Sequence, residues 1–430
     1  MDKKVINLAL AGFGTVGTGL AKIIQENGSW IERRTGKRLA IKKILVRDLS
    51  KIRSFVPDPD ARFTDNMDDL LIDKDIDIVV ELMGGLNEAY TLIDSSLRSG
   101  KHVVTANKAL LAEKGNELFV LANEKNLGLY YEASVAGGIP IVQTLKDSLA
   151  GNKIKSITGI LNGTANFILS EMTSKGLDFS TALNAAQEKG YAEADPTLDI
   201  EGIDAAHKLT ILMRLAYGAD YPLEVLPVQG ISQVKATDIS LSGEFGCVLK
   251  LIAQVREKSD HLQAGIFPAL LPKDHILAKV DGPFNSILLE GNAVGPIMLY
   301  GQGAGDLPTG SAVLADIMAL AKDNSAIDNT GFKEKTLPKA KIVEPDLAVH
   351  RHYFRMTALD KPGVLSAVTG VMGEHNISIA QAVQKPGPDG KNVPIVFLTH
   401  RAQLKSVYSA LKVIDKFDFI TAPTVHYRIL

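Results

Sequence analysis

The chain has 430 residues, of which 46% are hydrophobic and 22% charged, with a formal net charge of −2. That length predicts two or three domains, and the near-neutral balance excludes a global basic field for nucleic acid or anionic membrane. One cysteine, Cys247, excludes an intramolecular disulfide and any multi-cysteine metal centre, and no apolar run reaches the ~18 residues of a membrane span.

In chain order, Met1-Asp-Lys-Lys followed by Val5–Ala11 imitates the start of a signal peptide. The apolar run ends in a glycine motif without a cleavage pattern, so a buried first strand is expected, and with it a cytoplasmic, reducing setting. Gly12-Phe13-Gly14-Thr15-Val16-Gly17 follows directly and opens a helical pattern from Val16 to about Asn27. This is the dinucleotide fingerprint in its proper context. The first glycine makes the tight turn, the second lets backbone approach a pyrophosphate, and the third lets helix meet strand. A structural glycine turn is the weaker alternative.

Strands are predicted at 39–46, 76–82, 102–105 and 127–132, with a helix over 88–98. This alternation is that of a doubly wound parallel sheet. Arg47-Asp48 stands at the end of the second strand. An acid there favours NAD and an arginine favours NADP; both are present, and the reading leans to NADP through Arg47. The pair lies about 30 residues past the fingerprint instead of ~20, so 29–38 reads as an insertion. Lys108 stands just beyond the 102–105 strand, where such sheets bind ligands.

From about residue 139 the pattern changes to an α+β region with a strand at 154–161. The stretch 191–208 packs Glu193, Asp195, Asp199, Glu201 and Asp204 ahead of Lys208, and an apolar run follows. Asp204 and Lys208, four apart, share a helix face, with Glu201 one turn before. An ionic face on a buried helix must look into a cleft or be paired at some cost. Such a face suits binding of a small zwitterion and movement of a proton. Taken alone, a solvated surface pair of order ~0.5 kcal/mol is the competing reading. Cys247 is expected on a helical stretch as a small core residue. The expected segmentation is a dinucleotide-binding domain (1–138), a catalytic and dimerisation domain (139–310), a helical return (311–331), a linker (332–349), and a terminal strand-helix-strand-strand-helix-strand unit (350–430).

Several motifs converge on one family: 11–17, Glu81-Leu-Met-Gly-Gly85, Val104-Thr-Ala-Asn-Lys108, Glu132-Ala-Ser-Val-Ala-Gly-Gly-Ile-Pro140, 159–169, 190–208 and Gly301-Gln-Gly-Ala-Gly-Asp-Leu-Pro-Thr309. Over nearly its whole length the chain resembles monofunctional homoserine dehydrogenases with a C-terminal ACT domain. The resemblance implies reversible NAD(P)H-dependent reduction of L-aspartate 4-semialdehyde to L-homoserine, on the route to threonine and methionine. By the same resemblance Lys208 is the proton donor and Lys108 a second active-site lysine near the nicotinamide. Asp204 is the lysine's partner, and Glu193, Asp199, Tyr191 and the Gly163–Thr164 turn are the substrate's surroundings. Gly303 joins the fingerprint at the cofactor, and Glu132, Val135, Gly137 and Ile139 form a monovalent-cation site, usually sodium. An amino-acid effector, threonine first, is implied at the ACT domain, with a module that only dimerises the enzyme as the alternative, and a homodimer or homotetramer is implied as well.

Two departures stand out. Ala165 replaces a threonine common in the family, and Asp306 stands in a turn that usually carries a small residue, where it is a candidate cap for the next helix. The rival readings are aspartate-semialdehyde dehydrogenase, which would need Cys247 as nucleophile, and an amino-acid sensor on a degenerate dehydrogenase fold.

Overall fold

The computed structural model describes residues 4–53, 55, 57, 60–322, 328–334, 336–387 and 391–430. Part of the predicted return segment 311–331, residues 323–327, and the first three residues lie outside that description. The chain divides into two compact units. The first comprises residues 1–163, 203–226 and 283–340, and the second 164–202, 227–282 and 341–430. These units cut across the linear segments expected from sequence.

In the first unit, β1 (Val5–Ala11) leads through the fingerprint into α1 (Thr15–Thr35). Then come β2 (Arg38–Leu45), β3 (Arg62–Thr64), α2 (Asp68–Ile72), β4 (Ile78–Glu81), α3 (Asn87–Arg98), β5 (His102–Thr105), α4 (Lys108–Lys125) and β6 (Leu129–Tyr130). The strands form a parallel sheet in the order β3-β2-β1-β4-β5-β6. This is the doubly wound arrangement, and its direction reverses between β1 and β4, where such sheets bind ligands. The interior strands are continuous apolar runs because helices cover both faces; Leu8, Leu10, Val80 and Val104 are buried in its core.

Of the predicted insertion at 29–38, residues 29–35 are instead the last turns of α1, and Arg38 opens β2. Ile31 is buried against the sheet, so the helix runs on past Gly28 and stops at Gly36, whose φ of 73° closes it. The long spacing from fingerprint to Arg47 is therefore helix, not loop. After α5 (Ile141–Gln143) and β7 (Ile154–Ile160), this unit also holds α9 (Ile203–Tyr217), β10 (Phe284–Gly291), β11 (Gly295–Gln302) and α11 (Asp306–Ala321), with β10 antiparallel to both β7 and β11. Helix α11 (Asp306–Ala321) lies directly on α1: a Cβ on Gly19 would stand 2.3 Å from the Asp306 carbonyl oxygen. Asp306 is the first helical residue of α11, not its cap. Gly305 takes the capping position, and the Asp306 carboxylate accepts the Leu307 N–H at 2.8 Å.

In the second unit, α6 (Gly163–Lys175), α7 (Phe179–Glu188) and α8 (Thr197–Ile200) precede α9 (Ile203–Tyr217) of the first. Gly202, at φ 80°, separates α8 from α9. Glu201 therefore belongs to the turn and not to the helix face of Asp204 and Lys208, contrary to the helical spacing. Next come α10 (Ala236–Glu244), β8 (Cys247–Lys258) and β9 (His261–Pro272). Cys247 opens a strand instead of lying on a helix, because Gly246 (φ 70°) breaks the chain after α10. Its thiol is pushed up by burial, which suits a core residue.

The terminal part runs β12 (Val349–Leu359), α12 (Val364–Glu374), β13 (Ile379–Gln384), β14 (Asn392–Thr399), β15 (Ala402–Gln403), α13 (Leu404–Ile414) and β16 (Ile420–Ile429). Strands in the order β16-β12-β14-β13 carry an apolar face of Phe354, Met356, Ile395 and Phe397, which packs with Val368, Val407 and Ile414. This is the ferredoxin-like order. Residues 360–363 and 375–378 turn between elements, with Gly363 (φ 89°) and Asn376 (φ 57°) left-handed. One pairing had no local signal: β16 continues in parallel onto β9, with Arg428 opposite Ala269 and Ile429 opposite Leu270.

Candidate active site

At the β1 carboxyl end, Gly12 has φ 105°, and a Cβ there would lie 2.6 Å from the Leu82 carbonyl oxygen. A Cβ on Gly17 would lie 2.5 Å from the Gly12 carbonyl oxygen, whereas at Gly14 it would meet nothing within 4 Å. Crowded first and third glycines beside an open second one fit a pyrophosphate lying against the loop. Gly14 is also the N-cap of α1, with no side chain to occupy the first-turn N–H groups.

The neighbouring wall is made by residues the sequence reading left without roles. Glu81, fully buried, accepts from the N–H groups of Met83 (2.8 Å) and Gly84 (3.0 Å) and from the Thr105 hydroxyl (2.6 Å). Asn107 accepts from Leu110 N–H (3.1 Å) at the start of α4, and its amide donates to the Gly85 carbonyl at 2.7 Å. The ends of β4 and β5 are thereby tied together, with Lys108 as the first residue of α4. Arg47 is exposed just past β2. The Asp48 carboxylate is held by Ser50 through its N–H (2.8 Å) and hydroxyl (2.6 Å), which lowers its pKa.

The first unit brings both lysines to one carboxylate. Asp204 receives Lys208 Nζ on Oδ2 at 2.8 Å and Lys108 Nζ on Oδ1 at 2.5 Å. Lys208 is four residues along the same helix, while Lys108 comes from the start of α4, just past β5. The Asn162 amide donates to Oδ2 at 2.8 Å, and Lys208 Nζ also donates to the Leu161 carbonyl at 2.7 Å. Burial pushes the Asp204 carboxyl up, but the two ammonium groups outweigh it and hold it well below the usual carboxylate range. The Lys208 side chain is 9% exposed and that of Lys108 40%. One ammonium is therefore sequestered and the other faces outward. A surface pair is excluded.

The second unit holds the other substrate candidates. Thr164 donates its hydroxyl to the Tyr191 carbonyl at 2.6 Å, and the Tyr191 and Phe167 rings stand 4.9 Å apart. Glu193 and Tyr191 are exposed and Asp199, on α8, is half-buried. The Gly163 position is tight: a Cβ would lie 2.7 Å from the Pro283 carbonyl oxygen within the first unit.

The 132–139 loop is buried. Both Glu132 carboxylate oxygens accept backbone N–H groups, from Val142 and Gln143 at 2.8 Å each. Burial nevertheless raises the Glu132 pKa. Asp316 on α11 accepts the Glu132 N–H at 2.7 Å, and its own pKa is well raised by burial and by the Glu132 charge. Ala136 and Gly137 are left-handed (φ 56° and 54°). Among the described residues, no backbone N–H donates to the Val135 or Gly137 carbonyl. The Ile139 carbonyl accepts the close Ile141 N–H at 2.8 Å. Buried carbonyls beside a carboxylate are an all-oxygen donor set, which fits a hard monovalent cation and not a transition metal. Among the described residues no cluster of three His, Cys, Asp or Glu side chains could hold a metal ion. Gly303 abuts this loop, its carbonyl oxygen 2.5 Å from where a Gly137 Cβ would be.

Sheet order, fingerprint and ion clamp define a dinucleotide-binding dehydrogenase. Residues 12–132 match the NAD binding domain of homoserine dehydrogenase, 140–318 the homoserine dehydrogenase family, and 352–416 the ACT domain. The chain belongs to the homoserine dehydrogenase family. A homoserine dehydrogenase of Neisseria gonorrhoeae is 40% identical over 430 residues, covering 99% of this chain and 98% of its own. Among solved structures, one from Thiobacillus denitrificans superposes with a TM-score of 0.93 at 40% identity, over 100% of this chain and 99% of that one. A hyperthermophilic archaeal homoserine dehydrogenase in complex with NADPH gives 0.63 at 29% identity, over 75% of this chain and 100% of its own. Homoserine dehydrogenase activity, an oxidoreductase activity, follows from that kinship. No described helix is long and apolar enough to cross a membrane.

Proposed function

We propose that this chain reduces L-aspartate 4-semialdehyde reversibly to L-homoserine, with NADPH preferred and Lys208 as proton donor. The observation that carries this reading is one buried carboxylate gripping two ammonium groups at the carboxyl side of a dinucleotide sheet. The bound dinucleotide supplies the hydride. As hydride reaches the aldehyde carbon, charge grows on the oxygen, and Lys208 Nζ stabilises it and delivers the proton. In the reverse direction Lys208 takes the proton from the hydroxyl. Asp204 keeps the lysine oriented and charged. The Leu161 carbonyl fixes the ammonium's direction, and Lys108 brings a second positive charge for oxygen or carboxylate. Glu193 and Asp199 supply the negative charge that an α-ammonium needs, and the Gly163–Thr164 turn suits an α-carboxylate.

Two observations support NADP over NAD. Arg47 is exposed where a 2′-phosphate would lie, and Asp48 is already engaged by Ser50. The archaeal relative's NADPH agrees with this lean. The carbonyls of Val135, Gly137 and Ile139 with Glu132 would hold a sodium-like ion that orders the loop against Gly303. Residues 350–430 are read as a regulatory module, with a hollow lined by Asp360, Gly363, Gln384 and Ile395 as the place for an amino acid, threonine first. A homodimer or homotetramer in the cytoplasm completes the reading, and nothing favours a degenerate sensor. The test is oxidation of NADPH and NADH by purified protein, side by side, with and without aspartate semialdehyde. No substrate-dependent turnover with either would defeat it.

A further inference from the structure

Asn285, the second residue of β10, is fully buried and was singled out by no motif. Its amide nitrogen donates to the Leu161 carbonyl at 3.0 Å. That carbonyl is the one that accepts Lys208 Nζ at 2.7 Å. A carbonyl cannot donate, so the amide orientation is fixed, with nitrogen toward Leu161 and Oδ1 turned away. The adjacent Asn162 amide meanwhile holds Asp204 Oδ2. The end of β7 thus grips both halves of the Lys208–Asp204 pair, and Asn285 fixes the half that touches the ammonium.

The slot around Asn285 is specific in shape. A Cβ on Gly303 would overlap its amide group at 2.2–2.4 Å, and a Cβ on Gly163 would come within 3.4 Å of Oδ1. Two glycines therefore leave the room that this side chain occupies. Among the described residues Oδ1 has no hydrogen-bond partner.

We propose that Asn285 is a positioning residue for the reaction: through the Leu161 carbonyl it sets the direction and proton affinity of the Lys208 ammonium. This rests on Lys208 being the proton donor. Without Asn285 the Leu161 carbonyl can turn, and the ammonium loses the fixed direction of that acceptor while keeping Asp204. A displacement of about 1 Å costs up to about a hundredfold in turnover.

The test is the pH profile of kcat in both directions for wild type, Asn285→Ala, Asn285→Ser and Asn285→Asp, with NADPH affinity measured by fluorescence titration. Asn285→Ala should lower kcat about tenfold to a hundredfold and move the kcat limb assigned to Lys208 by about one pH unit, with NADPH affinity within about twofold. Asn285→Ser, which retains a small donor, should recover part of both effects. Asn285→Asp, which sets a carboxylate against the Leu161 carbonyl, should be the poorest. A folded Asn285→Ala or Asn285→Ser enzyme with an unmoved kcat profile overturns the proposal. Equal loss in kcat and NADPH affinity overturns it too, since that marks a general packing defect. Lys208→Ala with near-normal turnover would instead overturn the donor reading on which it rests.

Discussion

Replacing Lys208 by alanine separates catalysis from folding, because the structure fixes what each loses. The proton donor is removed outright, and general acid catalysis of this kind contributes about 10²–10⁴-fold. Removing one partner of a buried ion pair ordinarily destabilises by about 3–5 kcal/mol, through the charge left behind. Here Asp204 keeps Lys108 at 2.5 Å and the Asn162 amide at 2.8 Å, so the loss should be smaller, about 1–3 kcal/mol. The fingerprint loop is untouched, so NADPH binding should persist. The sign of the acid dependence also follows. In the wild type Asp204 has a depressed pKa, so its stabilisation is fully present above the unfolded value of about 4 and is lost as pH falls through the lower folded value. Without Lys208 the depression shrinks, and the pH-dependent contribution of Asp204 shrinks with it. Steady-state kinetics, cofactor titration and denaturant melts between about pH 3 and 8 measure all three. Turnover within about tenfold of wild type would refute the donor role. A neutral-pH destabilisation above about 4 kcal/mol would mean that Lys108 does not compensate.

Arg47→Ala should weaken NADPH by about fivefold to tenfold and leave NADH nearly unchanged, since one exposed charge-assisted contact is lost; equal weakening of both removes Arg47 from cofactor selection. Glu193→Ala should raise the KM for homoserine about tenfold with little change in that for the dinucleotide, and an effect confined to the cofactor would place Glu193 elsewhere. Exchange into buffer free of sodium and potassium at matched ionic strength should lower activity and thermal stability, both restored by added sodium. Full activity in that buffer would dismiss the ion. Arg355→Ala should destabilise by about 3–5 kcal/mol in urea melts, because Asp238, with a fully buried side chain, pairs with Arg355 through Nε and Nη2; a loss below about 1 kcal/mol would show that this ion pair matters little.

The parts legible in the sequence are those whose physics is local. The fingerprint needs only glycines at fixed offsets after an apolar run, and the sheet around it follows from alternating periods. Asp204 and Lys208 sit four residues apart on an apolar helix, so their shared face could be read directly. Family resemblance marked Lys108 as a second active-site lysine, but its ion pair with Asp204 was not legible, because the 95 residues between them carry no spacing rule. Glu81, Asn162, Asn285 and Asp316 work through contacts between segments up to 184 residues apart, such as Asp316 with the Glu132 N–H. A lone polar residue in a strand or helix gives no hint of such a partner. The local errors have local causes. The long spacing from fingerprint to Arg47 made the end of α1 resemble an insertion although Ile31 is buried, Gly202 cut Glu201 from the helix of Asp204, and Gly246 put Cys247 on a strand.

The terminal module shows the same limit with a mechanistic consequence. Its own strand-helix-strand-strand-helix-strand rhythm is complete in the sequence, which made residues 350–430 read as a detachable unit. Yet β16 supplies backbone pairing to β9, the Leu430 N–H reaches the Leu270 carbonyl at 3.1 Å, and Arg355 neutralises Asp238 on α10. An exposed strand edge and a buried unpaired carboxylate are what truncation near Pro345 would leave behind. The same strand and ion pair give a ligand in the 360–365 hollow a rigid connection to α10 and β9. A regulatory signal would therefore travel through shared sheet and a buried charge pair, not along the linker. For that reason a truncated enzyme that has lost both threonine response and turnover would not separate regulation from stability. A substitution confined to the hollow, such as Gln384→Ala, isolates the effector site while leaving β16 and Arg355 in place. Loss of threonine response with an unchanged melting temperature is the expected result. An unaltered response would move the effector away from this hollow.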